Sequence, residues 1–228
     1  MHIGRRMVKE FYDMKIMLTL EELINPKHTA LVVVDVMNDE CRKRDEAGNV
    51  SYINKEFEIL VPRLKSLIEV TRKAKVQLCY LQHTTLPNMI NESPPRIRYL
   101  MKARGSNDPD VVTMFDLEGT WGHKIVEDIE PEPSDFIIKK HRPSGFVGTN
   151  MDLLLKNAGI QTLVFTGIVT EGCVEATVRS AVHHDYYIVV VRDGVASRDP
   201  EAHNASLRWY GKHFDRPTIK QMSELWLS

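Results

Sequence analysis

Four residues of chemically capable types stand just after apolar runs: Asp35 in "LVVVDVMND", His83 in "CYLQHTT", Lys140 in "FIIKKHRPSGF" and Cys173 in "FTGIVTEGC". A thiol attacks as its thiolate. A nearby ammonium and a helix N-terminus both favour that anion. A carboxylate can take the thiol proton and return it to a leaving group. Backbone N–H groups over Thr170–Cys173, at an expected helix start, can hold an oxyanion. Asp35, Lys140 and Cys173 therefore suit a nucleophilic triad of other residue types than Ser-His-Asp. Each has a plainer use as well. A lone cysteine after a strand is commonly a small core residue. Asp35 could cap a turn, Lys139 or Lys140 could be a solvated charge, and His83 could be a satisfied polar residue beside a loop. Cys41 and Cys79 read as structural. The convergence of three suitable residues favours the chemical reading.

That convergence depends on the elements. Five apolar runs read as buried strands: 30–34 "ALVVV", 76–81 "VQLCYL", 135–138 "DFII", 162–165 "TLVF" and 187–191 "YIVVV". They do not alternate polar with apolar, as strands covered on both faces do not. A sixth is expected near 217–222. Helical spacing lies between them. In 55–75, Phe57, Leu60, Val61, Leu64, Leu67 and Ile68 follow one face. Residues 150–158 form a short helix stopped by Gly159, with Thr149 a candidate cap. Helical spacing resumes after Cys173 and again over 200–214, where a proline begins the turn. Strands alternating with helices give a parallel sheet with helices on both faces. Ligands of such sheets sit outside the carboxyl ends of the strands, where all four residues fall. The irregular stretch 84–129 is expected to cover part of that site. Residues 1–28 form an N-terminal extension and 29–228 a single domain.

Composition narrows the function. Of 228 residues, 43% are apolar and 27% charged, with a formal net charge of -1, so nothing favours nucleic acid or an anionic membrane. Three widely spaced cysteines suit a reducing compartment, and no stretch reads as a secretory signal or a membrane span. A cytoplasmic protein is expected. Neither HxxxH nor CxxC occurs, so no metal is expected. "GIVTEG" has the glycine spacing of a phosphate loop, but Cys173 follows it instead of lysine. With no GxGxxG after the first strand and no GxSxG elbow, no cofactor is expected.

These blocks carry a resemblance. "LVVVDVMND", "KHRPSGFVGTNMDLLLKNAGI" and "LVFTGIVTEGCVEATVRSA" resemble the aspartate, lysine and nucleophile motifs of the isochorismatase-like cysteine hydrolases. The likeness spans roughly 28–215 and is nearest to ureidoacrylate and N-carbamoylsarcosine-type amidohydrolases. It implies a Rossmann-like three-layer α/β/α sandwich with a mostly parallel six-stranded sheet. It implies Asp35 as proton acceptor, Lys140 (four residues before Ser144) as the triad lysine and Cys173 as nucleophile. The amides of Val169, Thr170 and Cys173 would form the oxyanion hole, with a non-proline cis peptide at Val169–Thr170. Asn38, His83, Trp121, Arg142, Phe146 and Glu171 become candidate substrate contacts, Arg142 through a fork suited to a carboxylate. The chain departs from the family's D-x-Q-N-D-F at Met37 and Glu40, which alters the pocket wall near Asp35. The D-x-H metal pattern of nicotinamidases is absent around His83. The implied reaction is cofactor-free hydrolysis of a C–N bond in a small amide, ureido or carbamoyl compound, by a dimer or tetramer. A vinyl ether hydrolase, or a non-catalytic binding module on the same fold, are the alternatives.

Overall fold

The strand β1, Thr29–Val34, is buried at every residue and forms the middle of the sheet. Its β-branched run leaves no polar side chain to face water, so both faces must be covered. The computed structural model describes residues 16–110 and 114–228. In chain order its remaining strands are β2 (Arg42–Arg44), β3 (Val50–Tyr52), β4 (Gln77–His83), β5 (Phe136–Lys140), β6 (Thr162–Ile168) and β7 (Tyr187–Ala196). Its helices are α1 (Leu20–Leu23), α2 (Asn38–Cys41), α3 (Lys55–Lys73), α4 (Pro94–Arg104), α5 (Met151–Asn157), α6 (Glu175–His183), α7 (Pro200–His213) and α8 (Ile219–Leu227).

The main sheet has five strands in the order β5-β4-β1-β6-β7, and every pairing within it is parallel. Strands β2 and β3 form a separate antiparallel ribbon. Side-chain alternation divides the core into two layers. Leu31 and Val33 of β1 pack with the Phe57–Ile68 face of α3 and with Met222 and Trp226 of α8. Ala30, Val32 and Val34 pack on the other face with Leu155, Val178 and Tyr210. Each fully buried Val, Leu or Ile contributes about 1.5–3 kcal/mol to this arrangement. The three-layer sandwich expected from the sequence is thus observed.

The sheet differs from expectation in its sixth strand. Residues 215–217 lie beside β7, where Val190 and Arg192 donate backbone hydrogen bonds to the carbonyls of Asp215 and Pro217. Pairing stops there, because Pro217 has no N–H and Thr218 caps α8 with a reciprocal Gln221 contact. Residues 219–227 are helical, not extended.

The stretch 84–129 is not wholly irregular, for α4 lies within it, capped by Ser93 and begun by Pro94 and Pro95. Residues 16–28 pack against the sheet's outer layer. Leu23 and Ile24 are buried there, and the Trp226 indole donates to the Ile24 carbonyl at 2.9 Å. The part of the N-terminal extension before residue 16 lies outside the described residues. No helix among the described residues is long and apolar enough to cross a membrane.

Candidate active site

Register sets the site. Val34 pairs with Leu81 of β4 and Gly167 of β6, and β1 ends there while β4 runs on to His83 and β6 to Ile168. His83 pairs with Lys140 at the ends of β4 and β5. Gly167 is needed for this closure. Its φ is +103°, and a Cβ there would fall 2.2 Å from the Val34 carbonyl oxygen. Asp35 follows β1 with φ 50°, a left-handed conformation that aspartate tolerates better than most residues.

Asp35 is nearly fully buried, and its two oxygens have different partners. Oδ1 accepts the His83 backbone N–H at 3.0 Å, and Oδ2 lies 2.7 Å from Lys140 Nζ. Lys140 is completely buried. Its ammonium places one donor on Asp35, one on the Arg142 carbonyl at 3.1 Å and one on Cys173 Sγ at 3.4 Å. All three of its N–H groups are therefore engaged.

Burial dominates the electrostatics here. Burial pushes the Cys173 thiol up to about 12; Lys140 opposes this, and Asp35 adds to it. Burial also raises Asp35 above the ordinary carboxylate value, again against Lys140. Burial disfavours the Lys140 ammonium, but Asp35 and Cys173 hold it above the ordinary lysine value. The thiol and the ammonium keep their protons at neutral pH, while Asp35 accepts from the His83 amide and from Lys140. Withdrawal from water outweighs the nearby cation.

Cys173 sits in a wide turn, Thr170–Val174, that leads into α6. The cis peptide precedes it at Ile168–Val169, one residue earlier than expected. The turn is closed by the amides of Gly172 and Val174 on the Val169 carbonyl, and by that of Glu175 on Thr170 and Gly172. The amides of Thr170 and Cys173 are not part of those bonds. The Tyr210 hydroxyl donates to the Thr170 carbonyl, and Thr177 Oγ1 to the Cys173 carbonyl while accepting the Gly145 amide. Tyr210 and Thr177 carried no signal in the sequence, because only the packing of α6 and α7 brings them here.

A cavity of about 310 Å³ opens on this cluster, a volume suited to a small ligand. Asp35, His83, Glu171 and Cys173 line it, together with Arg96 and Arg104 of α4. Glu40 and Arg198 complete its wall, with Glu40 Oε1 2.7 Å from Arg104 and Oε2 2.9 Å from Arg198. The departure at Glu40 thus places a carboxylate between two guanidiniums.

His83 has a defined tautomer. Arg96 Nη2 lies 3.1 Å from its Nε2, and a guanidinium only donates, so Nε2 accepts. Nδ1 then carries the hydrogen and donates to Asp116 Oδ2 at 3.0 Å. Burial, followed by Lys140 and Arg96, holds His83 well below the usual imidazole value, so the ring is neutral.

Four of the candidate contacts do not line this cavity, although Arg142 borders an adjoining pocket with Arg96, Pro143 and Glu171. The Asn38 amide donates to the Trp121 carbonyl, and the Trp121 ring lies 4.5 Å from the Arg44 guanidinium. The Arg142 fork is held by the carbonyls of Asn91 and His141. Phe146 stacks on His184 with centroids 4.6 Å apart. Nearer partners thus engage the Arg142 fork and the Trp121 and Phe146 rings, whereas Asn38 Oδ1 is buried without a partner. Sequence reasoning missed Arg96, Arg104 and Arg198, whose spacing has meaning only after α4 folds over the strand ends.

Residues 29–218 match the family model described as Isochorismatase domain, and the chain belongs to that family. The ureidoacrylate amidohydrolase RutB of Rhizobium rhizogenes is 32% identical over 187 residues, covering 78% of this chain and 74% of its own. The RutB of Agrobacterium fabrum is 30% identical over 182 residues, covering 78% and 80%. Among solved structures, the N-carbamoylsarcosine amidase of Thermoplasma acidophilum superposes with a TM-score of 0.64 at 27% identity, covering 84% of this chain and 96% of that one. An isochorismatase-like hydrolase from Alkaliphilus metalliredigens gives 0.71 at 26% identity, covering 87% and 99%.

Proposed function

We propose that the protein is a cysteine-dependent amidohydrolase that cleaves a C–N bond of a small carboxamide, ureido or carbamoyl compound. The observation that carries this reading is the contact of one buried ammonium with Asp35 at 2.7 Å and Cys173 Sγ at 3.4 Å, beside a cavity. The names of the relatives support it, since they are amidohydrolases of ureido and carbamoyl compounds.

Cys173 attacks the carbonyl carbon as its proton passes to Asp35. That transfer leaves the net charge of the buried set unchanged, so no new charge is desolvated at the moment of attack. The raised Asp35 carboxyl is matched to this role. Lys140 holds the developing thiolate. The amides of Thr170 and Cys173, with that of Val169, receive the oxyanion. Asp35 then returns the proton to the departing nitrogen. That nitrogen leaves as ammonia from a carboxamide or as the amine from a carbamoyl compound. The acyl or carbamoyl group stays on Cys173 and is released as the acid or as carbamate in the next step. Water, activated by Asp35, hydrolyses the thioester and frees Cys173.

The test is ammonia release across a panel of small amides and ureido acids, wild type beside Cys173→Ala. Release by wild type alone is expected, and comparable release by both proteins would overturn the reading. The thiol's elevation to about 12 is the one observation that favours a non-catalytic module. Acid-quenched mass spectrometry separates the two readings, because a working nucleophile carries an acyl adduct on Cys173 during turnover.

A further inference from the structure

The segment that follows Lys140 folds back onto the first turns of α6. Its Arg142 carbonyl accepts from the Lys140 ammonium at 3.1 Å. Further along, the Gly145 amide donates to Thr177 Oγ1 at 3.1 Å, and that hydroxyl donates to the Cys173 carbonyl at 2.7 Å. Cys173 Sγ in turn lies 3.4 Å from Lys140 Nζ. Chain and hydrogen bonds together close a ring through Cys173, Thr177, Gly145, Arg142 and Lys140. A helical threonine that bonds back to the carbonyl four residues earlier is a local habit. Thr177 differs because the same hydroxyl also accepts, from a loop 32 residues away in the chain. The residue is completely buried, so water cannot replace either bond. Gly145 is equally confined. A Cβ there would fall 2.6 Å from Leu81 Cδ1 and 2.9 Å from Met151 Sδ, so its backbone lies close against both side chains. A second link, Ser144 Oγ to Ser180 Oγ at 2.8 Å, docks the same loop on α6 outside the ring.

We propose that Thr177 is a positioning residue for the reaction, whose hydroxyl sets the separation of Cys173 Sγ and Lys140 Nζ. This assignment rests on the amidohydrolase reading and adds to it a residue that touches neither substrate nor the reacting atoms. Thr177 fixes the nucleophile at its carbonyl, and the loop that Thr177 holds fixes the ammonium through the Arg142 carbonyl. Without the hydroxyl, the buried Gly145 amide loses its acceptor. The loop and the nucleophile turn then shift apart, and the ammonium no longer meets the sulfur where it attacks. A misplacement of about 1 Å costs on the order of a hundredfold in rate. The hold of Lys140 on the thiolate also weakens with distance, so the thiol loses reactivity even with no substrate present.

The test compares two variants of the full-length protein: Thr177→Val, which keeps the shape and removes the hydroxyl, and Thr177→Ser, which keeps the hydroxyl. The first readout needs no substrate. It is the rate at which iodoacetamide alkylates Cys173 from neutral to alkaline pH, followed on the Cys173 peptide by mass spectrometry so that Cys41 and Cys79 do not contribute. That rate is expected to fall by about tenfold or more in Thr177→Val and to stay near wild type in Thr177→Ser. The second readout uses the amide that the wild type hydrolyses fastest. There kcat is expected to fall by about a hundredfold in Thr177→Val with KM unchanged, and Thr177→Ser is expected to recover most of it. Ser180→Ala, which cuts the outer link alone, is expected to leave both readouts near wild type. Should Thr177→Val not fold, Thr177→Ala, which leaves space for water at the Gly145 amide but no tie to it, carries the same expectation. Unchanged alkylation in a folded variant without the hydroxyl would overturn the proposal. Equal losses in Thr177→Val and Thr177→Ser would do so too, by assigning the effect to packing. An equal loss in Ser180→Ala would likewise overturn it, by showing a general loosening of α6. The amidohydrolase reading fails separately, if ammonia release does not depend on Cys173, and alkylation judges Thr177 in either case.

Discussion

Lys140 Nζ stands 2.7 Å from Asp35 Oδ2, although β4 lies between their strands in the sheet. The long lysine side chain, buried throughout, carries the charge across the strand ends to the carboxylate. Both residues are withdrawn from water, so each depends on the other.

Removing one member of that pair leaves a buried charge unmatched. Asp35→Asn is expected to destabilise the fold by about 3–5 kcal/mol in urea unfolding. Asp35→Asn combined with Lys140→Met is expected to recover most of that loss. If the double variant is as unstable as the sum of the single ones, the two groups are not coupled.

Cys173→Ala removes the attacking atom but little packing. Turnover is expected to fall by about a thousandfold or more, with the melting temperature within about 2 °C of wild type. Retained turnover would assign the chemistry elsewhere.

The pH profile of kcat/KM follows from the directions of the shifts. Asp35 must be ionised to accept the proton, and burial raises its pKa above 3.8. The acid limb is therefore expected at higher pH than for an ordinary carboxylate. Lys140 is held above 10.5 and the thiol near 12, so both stay protonated through neutral pH. No falling limb is expected between pH 7 and 9. A bell centred near neutrality would point to a thiol already ionising there.

Gly167→Ala puts a Cβ against the Val34 backbone, 2.2 Å from its oxygen, at a φ unfavourable to alanine. A loss of about 2 kcal/mol or more is expected from chemical denaturation, with reduced activity because β1 and β6 must separate where Asp35 emerges. Unchanged stability would show that the strand ends can part freely.

Much of this was legible in the residues themselves. The unbroken apolar runs set five strands, and the residues after four of them placed Asp35, His83, Lys140 and Cys173 at one edge, because a parallel sheet aligns its carboxyl ends. The helix of α8 was hidden, since its first residues adjoin a real extended bridge at 215–217. Arg96 was hidden within an irregular-looking stretch that two prolines in fact start as a helix. Arg142 read as a ligand group from its type, yet nearby carbonyls hold its fork.

The sequence by itself determined the layer order and which reactive types meet, because strand periodicity and chain direction are local properties. Only the tertiary structure decided the protonation of Cys173 and the identity of the cavity wall. Both depend on how much water remains around groups far apart in the chain, and that is set by packing, not by spacing.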